Sequence, residues 1–335
     1  MNTLPMAQTT SGPPELTAER IVELQAEVQE LKVQRNAVIL AHNYQLPEVQ
    51  DSADYVGDSL GLSQQAAEAG DDVIVFCGVH FMAETASVLC PDQTVLIPDL
   101  GAGCSLADSI NADQLRDWKA EHPGAIVVMY VNTSAEVKAE TDYCCTSGNA
   151  VRVVEHIVAK HGNDVEILFG PDMWLGSYVA KETGRELQIW DGECHVHAGI
   201  RPSTINRLRE QTPDAEFLIH PECGCTTQIM EYVASGDIDP EKTHFLSTEG
   251  MMRFAESDFT DKALVATETG ILYRMHKLAP DKQFLPVSES AVCKYMKMIT
   301  LEKLRDSLRD LKYEVRVPPE IAERARIPIE RMVAL

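Results

Sequence analysis

The chain repeats itself three times, and each repeat closes on a cysteine: Cys104, Cys194 and Cys293, spaced 90 and 99 residues apart. Self-similarity of this kind determines an architecture before local propensity does. The first apolar run of each unit reads Ala37-Val38-Ile39-Leu40-Ala41-His42, Ala125-Ile126-Val127-Val128-Met129-Tyr130 and Ala215-Glu216-Phe217-Leu218-Ile219-His220. A helical stretch follows, clearest over residues 150–158. A second apolar run occupies residues 73–76, 165–169 and 263–266. Another helix, a third run (95–98, 187–190 and 284–287) and the cysteine complete each unit.

Short apolar runs that alternate with helical patterns are the mark of parallel α/β units. Their continuous apolarity implies strands buried on both faces, joined by right-handed crossovers. The repeat therefore predicts an α/β protein of three small, pseudo-threefold-related domains with short parallel sheets. Ligands of such sheets bind beyond the carboxyl ends of the strands. The cysteines and the polar residues after each first strand all fall there, so one active site is expected at the central three-domain junction. The expected division is a tail and helix over 1–36, then repeats over 37–106, 107–194 and 195–293. The segment 294–335 is expected to return and pack on the first repeat.

Composition narrows the function classes. A net charge of −23 opposes binding to nucleic acid or an anionic membrane and fits a solvated acidic surface. No apolar run approaches the roughly 20 residues of a membrane helix. The N-terminus lacks the basic and apolar regions of a signal peptide, which predicts a cytoplasmic protein. Residues 1–15, rich in Pro, Ser and Thr, are expected to be disordered. Thr17 is positioned to cap a helix running to about Val33, with Ile21, Leu24, Val28 and Leu31 on one face. A further helix is expected over 301–311.

Side chains two apart at a strand end point to the same side. The first strands end in His42 and Tyr44, Tyr130 and Asn132, and His220 and Glu222. Each repeat thus offers a pair of proton-handling or hydrogen-bonding groups at the same place. Ser59, Ser147 and Thr248 fall at the starts of the following helices. Plain capping accounts for any one of them. Three converging helix N-termini can instead hold a dicarboxylate or a phosphate ester with little need for Lys or Arg.

Nine cysteines without a secretory signal favour metal or thiol chemistry over a disulfide framework. Cys77, Cys90, Cys144 and Cys145 sit in apolar surroundings and read as small core residues. Cys223 and Cys225 compete as ligands, or form a redox pair, but they follow the first strand of their repeat rather than the third. Three thiolates at one axis, Cys104, Cys194 and Cys293, suit a four-iron cluster with one iron left open.

The motifs resemble those of the quinolinate synthase (NadA) family from about Val38 to Leu335. They include Ala41-His42-Asn43-Tyr44-Gln45, Val56-Gly57-Asp58-Ser59, Gly78-Val79-His80-Phe81-Met82-Ala83-Glu84, Tyr130-Val131-Asn132, Cys145-Thr146-Ser147-Gly148-Asn149, Gly170-Pro171-Asp172, His220-Pro221-Glu222-Cys223 and Ala291-Val292-Cys293. Their order and spacing together carry the resemblance; no one of them does. It implies three triangularly arranged α/β/α domains and a [4Fe–4S] cluster held by Cys104, Cys194 and Cys293. It also implies condensation of iminoaspartate with dihydroxyacetone phosphate to quinolinate, phosphate and water in NAD biosynthesis, with the open iron as Lewis acid. An aspartate-oxidising enzyme would supply the iminoaspartate.

By the same resemblance, substrate binding falls to His42, Ser59, Tyr130, Asn132, Ser147, His220, Glu222 and Thr248. Proton transfer falls to Glu222 as general base, with Tyr44, Tyr130, His197 and His220 as partners. Ser247 stands 27 positions after His220, a longer stretch than many members carry, and Cys223-Gly224-Cys225 occurs in only part of the family. Two rival readings fit less of the chain. Diphthamide-synthesis proteins share the three-cysteine plan but have no need of the His-Pro-Glu and Tyr-Val-Asn strand ends. A zinc or iron–sulfur sensor would need a partner-binding or DNA-binding element, and the sequence displays none.

Overall fold

The computed structural model describes residues 16–258 and 261–335. The expectation of disorder over residues 1–15 lies outside the described residues. Twelve strands among the described residues form three sheets of four. The first holds β1 (Ala37–His42), β2 (Tyr55–Gly57), β3 (Val73–Cys77) and β4 (Thr94–Leu96); the second holds β5 (Ile126–Tyr130), β6 (Tyr143–Cys145), β7 (Ile167–Gly170) and β8 (Gln188–Ile189). The third holds β9 (Glu216–Ile219), β10 (Thr243–Phe245), β11 (Lys262–Ala266) and β12 (Gln283–Pro286). All pairings within the sheets are parallel, and every sheet has the same order, second-first-third-fourth.

The three-domain α/β reading holds, with one strand more per repeat than the apolar runs predict. The added strands β2, β6 and β10 have three residues each. Tyr-Val-Gly, Tyr-Cys-Cys and Thr-His-Phe are too short and too mixed to register as apolar runs. Carboxylates just before two of them fix the edge: Asp54 Oδ2 accepts from Ile39 N–H and Asp142 Oδ2 from Val127 N–H, both at 2.9 Å. The central strands β1 and β3 are buried along their whole length, as two-sided cover by helices requires.

Thr17 caps the helix Ala18–Arg35 by accepting from Arg20 N–H, and Leu24 and Val28 are buried beneath it. The helix Leu301–Asp310 packs against Ala18–Arg35. The chain then runs antiparallel along the edge of β4, with Ile97 N–H donating to Tyr313 O and Val315 N–H to Val95 O. A final helix, Pro319–Ala334, packs on the first repeat and on the second as well. It lies against the helix His80–Leu89 of the first repeat and against Ala135–Lys138 and β6 of the second. Asn149 Nδ2 donates to Met332 O at 2.9 Å, which ties this helix to the start of Ala150–His161. Among the described residues no helix is long and apolar enough to cross a membrane.

Candidate active site

The carboxyl ends of the three sheets face one another, and a single cavity lies between them. Cys104, Cys194 and Cys293 line it, together with His42, Tyr44, Ser59, Tyr130, Asn132, Ser147, His197, His220, Glu222 and Thr248. Every site residue proposed from the sequence therefore reaches the same space. The repeat explains why: equivalent strand ends related by a pseudo-threefold arrangement must converge.

The first-strand pairs adopt a shared geometry in two repeats. Tyr44 N–H donates to His42 Nδ1 at 3.1 Å, and Glu222 N–H donates to His220 Nδ1 at 3.4 Å. An imidazole that accepts at Nδ1 carries its proton on Nε2 when neutral. His220 Nε2–H accordingly faces Ser147 Oγ at 3.2 Å. Burial, with Lys297 nearby, holds His42 down to about 3, and burial among the neighbouring imidazoles holds His220 well below the ordinary histidine value. Burial likewise holds His197 at about 3. All three are neutral donors and acceptors at neutral pH.

Glu222 sits at the centre of this group. Tyr130 Oη donates to Glu222 Oε1. His197 Nδ1 lies 3.5 Å from Oε2 and His220 Nδ1 lies 3.7 Å from Oε1. Burial, followed by the charge of Asp172, raises the Glu222 carboxyl to about 8, while the tyrosine hydrogen bond opposes the shift. On the opposite side of His197, Nε2 meets Thr267 Oγ1 at 2.8 Å, and Thr267 Oγ1 meets Tyr44 Oη at 2.5 Å. A chain of exchangeable protons thus joins Tyr44, Thr267 and His197, whose Nδ1 lies 3.2 Å from Cys194 Sγ. Asn132 Oδ1 is buried without a hydrogen-bond partner among the described residues. A buried acceptor of this kind normally has one, and its place in the cavity lining suits a donor from a ligand.

The helix starts differ from the simple capping picture. Ser59 is the first residue of Ser59–Glu68, which Asp58 caps by accepting from Gly61 N–H. Thr248 begins Thr248–Glu256, capped by Ser247, and its Oγ1 accepts from Asn43 Nδ2 at 3.2 Å. Ser147 precedes Ala150–His161, whose N-cap Asn149 makes no side-chain cap bond. None of the three hydroxyls is itself the capping group. Of these three helices, only Ala150–His161 presents its first turn without a side-chain cap.

The three cysteines are free thiols with matching surroundings. Backbone N–H groups two and three residues onward point at each sulfur: Leu106 and Ala107 at Cys104, Val196 and His197 at Cys194, Tyr295 and Met296 at Cys293. Burial pushes all three thiols upward, Cys104 to about 12, and Lys297 opposes the shift at Cys293 without overcoming it, so an ionised sulfur here needs further positive charge. A metal centre provides it. Three sulfurs in one cavity, each with two N–H donors, fit an iron–sulfur cluster. Cys194, His197 and Glu222 also bring potential ligand atoms within 4.8 Å of one another. Cys223 and Cys225 are buried and joined by a disulfide, and in that state neither offers a thiolate.

Sequence reasoning missed Thr267, Glu268 and His195, whose Nδ1 meets Ser105 Oγ at 2.6 Å at the rim. Thr267 follows β11 directly, as His220 follows β9, and Glu268 is the next residue. Extending the strand-end comparison to the second apolar run of each repeat would have found them.

A model of the family described as quinolinate synthetase A protein matches residues 26–334. A quinolinate synthase of Thermus thermophilus is 56% identical over 312 residues, covering 93% of this chain and 97% of that protein. The quinolinate synthase of Mycobacterium sp. strain KMS is 55% identical over 317 residues, covering 93% and 92%. That of Pyrobaculum aerophilum is 51% identical over 309 residues, covering 92% and 98%. With a family match across almost the whole chain and more than half of the aligned residues shared with each of these enzymes, this chain belongs to the quinolinate synthase family.

Proposed function

We propose that the central cavity condenses iminoaspartate with dihydroxyacetone phosphate to give quinolinate, phosphate and water. The observation that carries this reading is the convergence of three N–H-cradled thiols and a neutral, proton-handling wall in one cavity. Quinolinate synthases are iron–sulfur enzymes, and Cys104, Cys194 and Cys293 are the residues that would hold a [4Fe–4S] cluster. When bound, that cluster supplies Lewis acidity at an iron without a protein ligand, aimed at a hydroxyl or carbonyl oxygen.

The chain's own groups divide the remaining work. Glu222, raised toward neutrality by burial, is suited both to take a proton from carbon or nitrogen and to return it. Tyr130 holds its Oε1 in place. His42 and His220 offer Nε2–H donors, because their Nδ1 atoms are occupied by backbone N–H groups. Tyr44, Thr267 and His197 form a second route for protons along their contacts. The side-chain-uncapped start of Ala150–His161, with Ser147 beside it, is the best place for a substrate carboxylate or phosphate. Ser59, Asn132 and Thr248 complete the polar wall.

Iminoaspartate is a hydrolysable imine, so an enzyme that oxidises aspartate is the partner this reading requires. The test is an anaerobic assay of the iron-loaded protein with both substrates. Quinolinate and phosphate should appear in equal amounts. Phosphate release without quinolinate, or no turnover by iron-loaded protein, would contradict the assignment.

A further inference from the structure

The three cysteine loops are held in the same way up to a point, and then they diverge. The residue three beyond β3, β7 or β11 donates its N–H to the carbonyl two residues before the cysteine: His80 to Ala102 (2.8 Å), Met173 to Gly192 (2.8 Å) and Thr269 to Ala291 (2.9 Å). One position earlier, two residues beyond each strand, stand Val79, Asp172 and Glu268. Asp172 Oδ2 accepts from Cys194 N–H at 3.2 Å, and Glu268 Oε1 accepts from Cys293 N–H at 3.0 Å. Both carboxylates are fully buried. Val79 has no acceptor to offer Cys104.

We infer that Asp172 and Glu268 are positioning residues that fix the Cys194 and Cys293 loops for metal binding, through the backbone N–H of each cysteine. Each carboxylate uses its other bonds to anchor itself. Asp172 Oδ1 accepts from Trp174 and Leu175 N–H at 2.7 and 2.9 Å, which locks it to the helix Met173–Thr183. Glu268 Oε2 accepts from Gly270 N–H at 2.7 Å, and Lys297 Nζ stands 3.2 Å from Oε1. Lys297 also donates to Tyr44 O. Glu268 therefore ties the Cys293 loop to the backbone of a proton-handling residue from the first repeat. A buried carboxylate with several charge-assisted N–H bonds is a rigid anchor, and outer partners of this kind set the orientation of metal ligands.

An amide cannot replace either carboxylate fully. Each carboxylate accepts N–H groups at both oxygens, and one end of an amide is a donor that would face a donor. This inference rests on the three-cysteine reading, and the test separates the two. The probe is cobalt(II) alone, titrated anaerobically into metal-free protein and followed by thiolate-to-metal charge transfer. Asp172→Asn and Glu268→Gln should each weaken cobalt binding at least fivefold. Glu268→Asp, which keeps the charge but withdraws it by one methylene, should resemble Glu268→Gln. Asn111→Ala is the control: it removes the cap of the distant helix Ala112–Glu121 and should lower the melting temperature while leaving cobalt affinity at the parent value. Asp172 also caps a helix, so if Asp172→Asn does not fold, the two Glu268 variants decide. Parent-like cobalt affinity in the folded carboxylate variants, with binding lost in Cys104→Ser, Cys194→Ser and Cys293→Ser, overturns the positioning role alone. Parent-like affinity in the serine variants overturns the three-cysteine reading itself.

Discussion

Glu222 shows how one residue acquires its role from its surroundings. It lies two positions beyond His220 on a buried strand end, receives one hydroxyl and has no cation beside it to hold its charge. Glu222→Gln keeps the size and most of the hydrogen bonding but removes the base. The variant should retain its iron and bind a substrate analogue normally, while turnover falls at least ~100-fold, the scale of one acid–base group. Turnover close to the parent's would eliminate Glu222 as the base. The same carboxyl makes a stability prediction for the metal-free protein. Its folded value, about 8, lies above that of an unfolded glutamate, and Asp172, at about 7, behaves alike. A raised acid stabilises the fold fully below its unfolded value and loses that contribution as pH rises through the folded one. His42 and His197, depressed to about 3, shift in the opposite sense and cost stability only below their unfolded value near 6.5. The melting temperature of metal-free protein should therefore fall between pH 6.5 and 8, with a shallower slope in Glu222→Gln. A rise over that interval in the parent protein would contradict the burial account. At this scale the sequence was informative wherever position in the repeat sufficed. It could not show that Tyr44 and His197 meet through Thr267, because their separations of 223 and 70 residues close only in the folded chain.

At the scale of elements, the repeat made the long buried strands legible and hid the short ones. β1 and β5 announce themselves by apolar runs, and β9 by Phe217-Leu218-Ile219 after Glu216; β2, β6 and β10 form because a neighbour offers a pairing edge. Helix starts were legible in place but not in detail. Ser59 and Thr248 fall at helix starts, where plain capping was the rival explanation, yet Asp58 and Ser247 perform the capping. That leaves the start of Ala150–His161 as the helix terminus best prepared for an anion. Ser147→Ala should weaken binding of a pyridine dicarboxylate at least fivefold with little loss of stability, since Ser147 caps nothing. Asp58→Ala should instead cost about 0.5–2 kcal/mol of stability, as the loss of a cap does. Equal affinity in the parent and Ser147→Ala would remove this helix start from the binding model.

Across the whole molecule, three sheets of identical order place equivalent strand ends around one cavity. The pseudo-threefold repeat supplies three sulfurs, and departures from it supply the chemistry. His42, Tyr130 and His220 occupy equivalent positions with different side chains, and Val79, Asp172 and Glu268 do the same one layer further out. The closing helix Pro319–Ala334 was not legible as a bridge, because its apolar face says only that it packs, not against which repeat. It joins the first two repeats, and its Ile329 and Met332 are fully buried. Burial of side chains of this size is worth about 1.5–3 kcal/mol each, so deletion of residues 319–335 should lower stability by several kcal/mol. An unchanged denaturation midpoint would show that the bridge is dispensable. The central claim is that Cys104, Cys194 and Cys293, and no other cysteines, hold the cluster. Its most direct test is iron content and absorption near 400 nm, the region expected of such clusters, in anaerobically reconstituted single Cys→Ser variants. The account predicts loss of both in Cys104→Ser, Cys194→Ser and Cys293→Ser, and retention of both in Cys223→Ser and Cys225→Ser. A cluster retained in Cys104→Ser but lost in Cys223→Ser or Cys225→Ser would contradict it.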